Sequence, residues 1–393
     1  MKPVLLGTCI ATFFIALASA TLESIHRAAN SESSKGRVLI GGPGYIWLAT
    51  WNPEPGVGFR VLVEKKVPIS MPWMAFTPPG RLYVADENSN VIRLYDVNSE
   101  NSNISGIKDK TGSFGVVHLE FSKDKTRLFS SAFHSGTIDV WNIEGGGLDL
   151  MKTVPCLRVV GGVPARPHQA NLDPTGRFLV VNDLSMDSII IIDTKDDAYE
   201  VMIYDSIFMS DCGPRHGVFY PQGADKATSY MVVCEKSKQV AVLSVKYESD
   251  RLVLEQFQRA SVFSNDSPPA NETNAAPVAI TLMPDNQNLY VSNRGMGNET
   301  DYISFFRIDT FNASLPRLGL SGMFPAHGTS PWMISPSKDG KWLFTANLAG
   351  DEAGVFALKV MIDGTLKDSP EAALWFYVFG DSGHGPRFIR QIE

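Results

Sequence analysis

Four side chains carry the chemistry that can be read directly: His168, Arg215, Glu235 and Arg294. Two arginines can grip carboxylates or phosphates through bidentate guanidinium forks and stay charged at any working pH. A histidine titrating near neutrality can donate or accept a proton, and a glutamate can orient it, pair with an arginine, or act as a second acid or base. That set suits a reaction on a small polyanion. Closing or opening a lactone needs little more, because a carboxylate must be held against a carbon and one proton moved. Each residue also has a plainer role. His168 can bond a neighbouring sheet, and the arginines can be structural partners of Glu235 and Asp183. His216, Asp183 and Asn293 flank the set and join it as candidate substrate contacts, although Asp and Asn at strand ends commonly satisfy turn backbone. His118 and His327 stand in weaker contexts, and His26, His134 and His384 carry no readable signal.

The elements that position these residues repeat. In Trp73-Met-Ala-Phe-Thr-Pro-Pro-Gly-Arg-Leu-Tyr-Val-Ala-Asp86 a short alternating strand meets a Pro/Gly turn, then an apolar strand ending in Asp. A third alternating strand follows at 91–95. The pattern returns from 118, 168, 215, 278 and 332. A spacing of roughly 45 to 60 residues is that of a four-stranded propeller blade. A degenerate seventh copy fits 37–52 and 58–64, and a strand at 375–380 is expected to close the ring by joining it. The expected fold is therefore all-β, a seven-bladed β-propeller of four-stranded antiparallel blades around a central channel, over residues 36–393. Regular repeats without a linker disfavour the rival, a pair of β-sandwiches. In a blade the first strand lines the channel and the second runs back beside it. The start of the first and the end of the second thus share one mouth. His168 and Arg215 begin first strands, and Asp183, Glu235, Asn293 and Arg294 end second strands.

Several of these stretches resemble a known family. Ala165-Arg-Pro-His168-Gln-Ala-Asn-Leu-Asp-Pro-Thr-Gly-Arg-Phe, Asn182-Asp183-Leu-Ser-Met-Asp187, Gly213-Pro-Arg215-His216-Gly-Val-Phe-Tyr-Pro221 and Leu289-Tyr-Val-Ser-Asn-Arg294-Gly295 are similar to motifs of the lactonase-type seven-bladed propellers. That family includes bacterial 6-phosphogluconolactonases and fungal carboxy-cis,cis-muconate cyclases. In the cyclases a His, two Arg and a Glu are the proposed active-site groups, which correspond here to His168, Arg215, Arg294 and Glu235. The resemblance implies a cyclase-like enzyme first, then a lactone hydrolase. It departs at Pro331-Trp332, where many lactonases carry Pro-Arg, so one anion contact is expected to be missing. The first blade matches poorly. A calcium-dependent lactonase would draw oxygen ligands from Asp86, Asp183, Asn293 and Asn347, against repulsion from Arg215 and Arg294. No zinc spacing, nucleophile elbow, phosphate loop or dinucleotide motif is present, so neither metal nor cofactor is expected. Propellers also serve as binding scaffolds, which leaves a non-catalytic antigen or adhesin open.

The chain begins with Lys2, an apolar stretch to Leu17 and Ala18-Ser19-Ala20, the pattern of a signal peptide over residues 1–20. Residues 21–35 are polar and expected to be disordered. No later segment is apolar enough to span a membrane. Asn103, Asn265, Asn271, Asn298 and Asn312 each begin an Asn-x-Ser/Thr sequon. Residues 261–276 hold two of them and read as a loop between blades. Secretion is the expected localisation. After removal of the leader, 34 Lys and Arg face 42 Asp and Glu, a net charge of −8. Such a surface favours neither nucleic acid nor anionic lipid, so a small anionic substrate is the expected partner and any anion site must be a local Arg cluster. Of the cysteines remaining, Cys212 and Cys234 fall near the same mouth on adjacent strands and are expected to pair, leaving Cys156 free. The intact mass of the secreted protein is expected to show cleavage after Ala20 and glycan on at least two sequons. A mature chain beginning at Met1 contradicts this.

Overall fold

The computed structural model describes residues 35–156, 163–203, 205–266, 268–310, 315–349, 353–379 and 385–393. The leader, the polar segment 21–34, His26, His384 and the Asn312 sequon lie outside the described residues, as does Ser267 of the Asn265 sequon. The remaining chain forms seven antiparallel blades in a ring. Blade 1 holds β1 (Gly36–Gly42), β2 (Tyr45–Asn52) and β3 (Gly58–Lys66). Blade 2 is β4 (Met74–Thr77), β5 (Arg81–Val84), β6 (Val91–Asn98) and β7 (Asn103–Thr111). Blade 3 is β8 (Val116–Phe121), β9 (Arg127–Ala132), β10 (Thr137–Asn142) and β11 (Asp149–Pro155).

Blade 4 is β12 (Pro167–Leu172), β13 (Phe178–Asp183) and β14 (Ser188–Asp193), edged by the two-residue strands β15 (Glu200–Val201) and β16 (Ile207–Phe208). Blade 5 is β17 (Pro214–Tyr220), β18 (Ser229–Cys234), β19 (Gln239–Tyr247) and β20 (Leu252–Ser261). Blade 6 is β21 (Ala276–Leu282), β22 (Asn288–Arg294), β23 (Tyr302–Asp309) and β24 (Arg317–Pro325). Blade 7 is β25 (Thr329–Pro336), β26 (Trp342–Ala349), β27 (Gly354–Lys359) and β28 (Ala372–Trp375).

The sequence explains this layering. Second strands such as β13, Phe-Leu-Val-Val-Asn-Asp, are buried along their whole length, because each blade is covered on both faces by its neighbours. Outermost strands such as β11 carry exposed Asp149 and Lys152 and are mostly open to solvent, which blunts the free edges. The hairpin between β12 and β13 turns on Asp173. Its carboxylate accepts the backbone N–H groups of Thr175, Arg177 and Phe178 at 2.9, 3.0 and 2.7 Å. The sequon-bearing loop runs between β20 and β21, where the polar composition places it.

Closure differs from expectation. The segment from Ala372 becomes β28, the outer strand of blade 7, and the ring is closed instead by β29 (Phe388–Gln391). β29 pairs with β1 and is the innermost strand of blade 1. The physical reason is burial: Phe388 and Ile389 are 2% and 0% exposed, whereas β28 retains the partly open character of an outer strand. Cys212 and Cys234 form a disulfide across the β17–β18 hairpin with Cα atoms 4.3 Å apart, and Cys156 is free and buried. Phe388 packs edge-on to Trp73 at 5.6 Å in the channel wall. Phe388→Ala is expected to cost about 3–5 kcal/mol of unfolding free energy in chemical denaturation. A loss under about 1 kcal/mol would show that the ring closes without this anchor.

Candidate active site

One local device builds the site. Inner strands open on a Pro-X dipeptide: Pro72-Trp73, Pro167-His168, Pro214-Arg215, Pro277-Val278, Pro331-Trp332 and Pro386-Arg387, with Val116-Val117 in blade 3. Proline cannot donate to the ladder and suits a strand's first position. In blades 3 to 7 the pairing register then slips. Pro167 faces Asp183 and Gln169 faces Asn182, so His168 is an extra residue. Trp332 is extra in the same way between Pro331 and Met333, and Arg215 and His216 oppose Val233 alone. A β-bulge of this kind bends the strand and re-aims the side chain. Repeated in blades 4, 5 and 7, it brings His168, Arg215 and Trp332 to one cleft, which Trp73, His216 and Glu87 also line. Gly213, at φ +57°, makes the tight turn before Pro214, where a Cβ would lie 2.7 Å from the Lys236 side chain.

Second-strand ends complete the cleft. Glu235 follows β18 and Arg294 ends β22. Glu235 bridges the two arginines, with Arg215 Nε 2.8 Å from Oε2 and Arg294 Nη2 donating to Oε1 at 3.3 Å. Arg215 also donates to the Val278 carbonyl. At 2% exposure, its pKa is lowered by burial to about 10 against the pull of Glu235, which still leaves it charged at neutral pH. Trp332 stands where three guanidinium groups meet: the Cζ atoms of Arg294, Arg387 and Arg215 lie 5.0, 5.1 and 5.8 Å from its ring centroid. Arg387 Nη1 donates to Glu87 Oε2 and Ser70 Oγ, both at 3.1 Å.

The histidines form a second cluster. His168 and His216 meet edge to face at 4.9 Å, and His118 lies 6.3 Å from His216 and 4.5 Å from Trp73. Burial, then the charge of Arg215, holds His168 and His216 well below the ordinary imidazole range. Burial, then Arg390, takes His118 to about 3. This corrects the expectation of a histidine titrating near neutrality: His168 is a neutral imidazole at physiological pH. Trp73 and His118 also line the cavity at the opposite end of the channel, beside Arg390 and Glu120. Burial lifts the Glu120 carboxyl to about 7.

His168, Arg215, Glu235, Arg294 and His216 therefore come together. Asp183 and Asn293 do not line that cleft, although Asp183 Oδ2 and Asn293 Oδ1 are buried without a hydrogen-bond partner among the described residues. Asp183 is fully buried and accepts the N–H groups of Arg166 and Met186 at 2.9 and 3.1 Å. The Asn293 amide donates to Ser304 Oγ at 2.8 Å. Asp86 likewise accepts from Ser89 Oγ at 2.7 Å, and the Asn347 amide donates to the Ala326 carbonyl at 2.7 Å. Among the described residues no three His, Cys, Asp or Glu side chains approach closely enough to share an ion. Sequence reasoning missed Trp332 as a contact and Arg387 and Glu87 altogether. Gly385-Pro386-Arg387 repeats the Gly213-Pro214-Arg215 tripeptide. That signal was hidden by placing the closing strand before it.

A propeller with three arginines gathered at one channel mouth offers a place where a small anion can be held. A sequence profile of the lactonase seven-bladed β-propellers matches residues 63–372, and the chain belongs to that family. It is 27% identical over 312 residues to an Arthroderma benhamiae protein named "Probable 6-phosphogluconolactonase", covering 76% of each. It is 24% identical over 353 residues to a 6-phosphogluconolactonase of Enterobacter sp. strain 638, covering 88% of this chain and 94% of that one. Among solved structures it resembles the periplasmic gluconolactonase of Pseudomonas aeruginosa, with a TM-score of 0.76 at 18% identity over 91% of this chain and 99% of that one, which shows a shared fold.

The buried imidazoles predict how stability depends on pH. An unfolded histidine titrates near 6.5. Below that pH the unfolded chain binds protons that native His118, His168 and His216 refuse, so stability falls with acidification, by about 1.4 kcal/mol per pH unit for each. Glu120 and Asp183, both raised by burial, act in the opposite sense, holding protons in the native state that the unfolded chain releases. Between pH 5 and 6 the three histidines outweigh the two carboxyls, and unfolding is expected to take up about one to two protons net, read from the slope of unfolding free energy against pH. His216→Gln should lower that slope by about one proton. A flat profile across this window contradicts the neutral buried cluster.

Proposed function

We propose that the protein is a secreted lactone hydrolase that opens a small lactone bearing an anionic group. The observation that carries this reading is a neutral His168 sharing one cleft with Arg215 and with Trp332, on whose ring Arg294 also sits. In hydrolysis, water attacks the lactone carbonyl and gives its proton to the neutral imidazole. Arg215, which is buried, and Arg294 stabilise the oxyanion that develops. The ring C–O bond then breaks, and His168 returns the proton to the departing alkoxide. Lactone and water become the hydroxy acid, with His168 restored. Glu235 holds the two guanidinium groups in place. Relatives named 6-phosphogluconolactonase support a phosphorylated sugar-acid lactone as the substrate class.

A second reading is cyclisation of carboxy-cis,cis-muconate, favoured by the match of His168, Arg215, Glu235 and Arg294 to the groups proposed in the fungal cyclases. It uses the same arginines for substrate carboxylates. It also requires a proton delivered to carbon, through the same imidazolium that burial and guanidinium charge disfavour in the hydrolysis. Relatives named 6-phosphogluconolactonase favour the hydrolase reading, which ranks first.

Kinetics on sugar-acid lactones and on carboxymuconate separate the alternatives. Lactone opening is expected, resistant to EDTA, with His168→Ala lowering kcat by about 10²–10⁴-fold. Arg294→Lys should mainly raise KM, because the guanidinium fork is lost. Turnover of carboxymuconate alone would establish the cyclase. Activity removed by EDTA and restored by Ca²⁺ would establish a metal-dependent lactonase. No turnover at all would leave a binding glycoprotein.

A further inference from the structure

Arg387 is the side chain that the hydrolase mechanism does not use. It stands at the head of β29, the same ring position that Arg215 occupies at the head of β17. Trp332 separates the two. Its indole receives Arg215 and Arg294 as one group and Arg387 as another, with guanidinium carbons 5.0 to 5.8 Å from the ring. Each group is capped by one internal carboxylate: Glu235 for Arg215 and Arg294 at 2.8 and 3.3 Å, Glu87 for Arg387 at 3.1 Å. Three cations face two anions, and the adjoining imidazoles are neutral, so the mouth carries a surplus positive charge. Arg387 has capacity to spare, because its Nε is buried without a hydrogen-bond partner among the described residues. Glu87 itself lines the cleft beside His168 and Arg215.

We propose that Arg387 and Glu87 form a second anion subsite, which receives a phosphate or carboxylate remote from the reacting carbonyl. The inference rests on the hydrolase reading for the role of the first subsite. Arg215 and Arg294, next to His168, serve the carbonyl where charge develops. Arg387, across Trp332, holds the charge that the substrate already carries. In the unliganded protein the Glu87 carboxylate occupies this subsite, and an incoming anion displaces it. Glu87 thereby sets a threshold: a neutral ligand leaves the Arg387–Glu87 pair intact, whereas a dianionic phosphate offers the guanidinium more charge than the glutamate does. Arg387 is a specificity-determining residue, and Glu87 its internal competitor.

Binding of 6-phosphogluconate and of gluconate, measured by calorimetry, tests this without requiring turnover. The unaltered protein should prefer the phosphorylated acid. Arg387→Gln should reduce that preference by about 10- to 100-fold, the worth of a charge-assisted hydrogen bond. Glu87→Gln should increase it, because the competitor is gone while Arg387 remains. The matching ratio of kcat/KM for phosphorylated over unphosphorylated gluconolactone should move in the same directions. If Arg387→Gln fails to fold, Glu87→Gln decides alone. No preference in the unaltered protein, or a preference unmoved in both variants, overturns the subsite. An Arg387-dependent preference in a protein that opens no lactone keeps the subsite and refutes the hydrolase reading.

Discussion

The site depends on an extra residue near the start of the inner strands of blades 3 to 7. An ideal antiparallel ladder would send alternate side chains into the neighbouring blades, leaving the channel mouth lined by whatever the blade packing requires. The bulge after the opening proline frees a single residue from that alternation. His168, Arg215 and Trp332 are aimed into the cleft because they fall on or beside a bulge, while the rest of each strand keeps its blade-packing role. Fold and chemistry are thereby decoupled. A residue can change at the X of Pro-X without disturbing the register beneath it, and the ring holds Trp, Val, His and Arg at equivalent places.

Charge at the mouth follows from burial around those positions. Imidazoles packed against Trp73 and Phe133 lose solvation, and nearby guanidinium groups disfavour a further positive charge. The histidines answer by staying neutral. The arginines cannot, since Arg215 remains charged even at its lowered pKa of about 10, and they recruit carboxylates instead. Glu235 is placed to serve two of them because the Cys212–Cys234 disulfide and the hydrogen bond from Glu235 N–H to the Gly213 carbonyl at 3.0 Å fix the end of β18 against the head of β17. The result is a set of neutral imidazoles beside guanidinium groups that stay charged and pair with carboxylates, a division that follows from their different intrinsic pKa values.

Much of this was legible in the residues. The alternation in 73–95 and its copies define the blades, and strand direction alone brings His168, Arg215, Glu235 and Arg294 to one mouth. The Cys212–Cys234 pairing follows from the same reasoning. What stayed hidden has physical causes. Asp183 and Asn293 share the strand-end position of Arg294 but are short, so their polar groups reach only turn backbone and neighbouring side chains. A pKa cannot be read from residue type when burial sets it, as at His168. The ring closure was misplaced because 375–380 and 388–391 are both short apolar segments, and only packing against Trp73 and β1 distinguishes them.

That last error concealed the most consequential residue. Arg387 precedes Phe388, whose burial closes the ring, so the third cation of the mouth and the closure of the fold are carried on adjacent residues. The backbone N–H of Arg387 donates to the Gly41 carbonyl at 2.7 Å, and its side chain reaches Ser70 in the connection to blade 2 and Glu87 in the β5–β6 turn. The cleft is thus complete only when the two ends of the chain meet. Ring closure and the third cation share one segment because Arg387 immediately precedes β29, the innermost strand of blade 1.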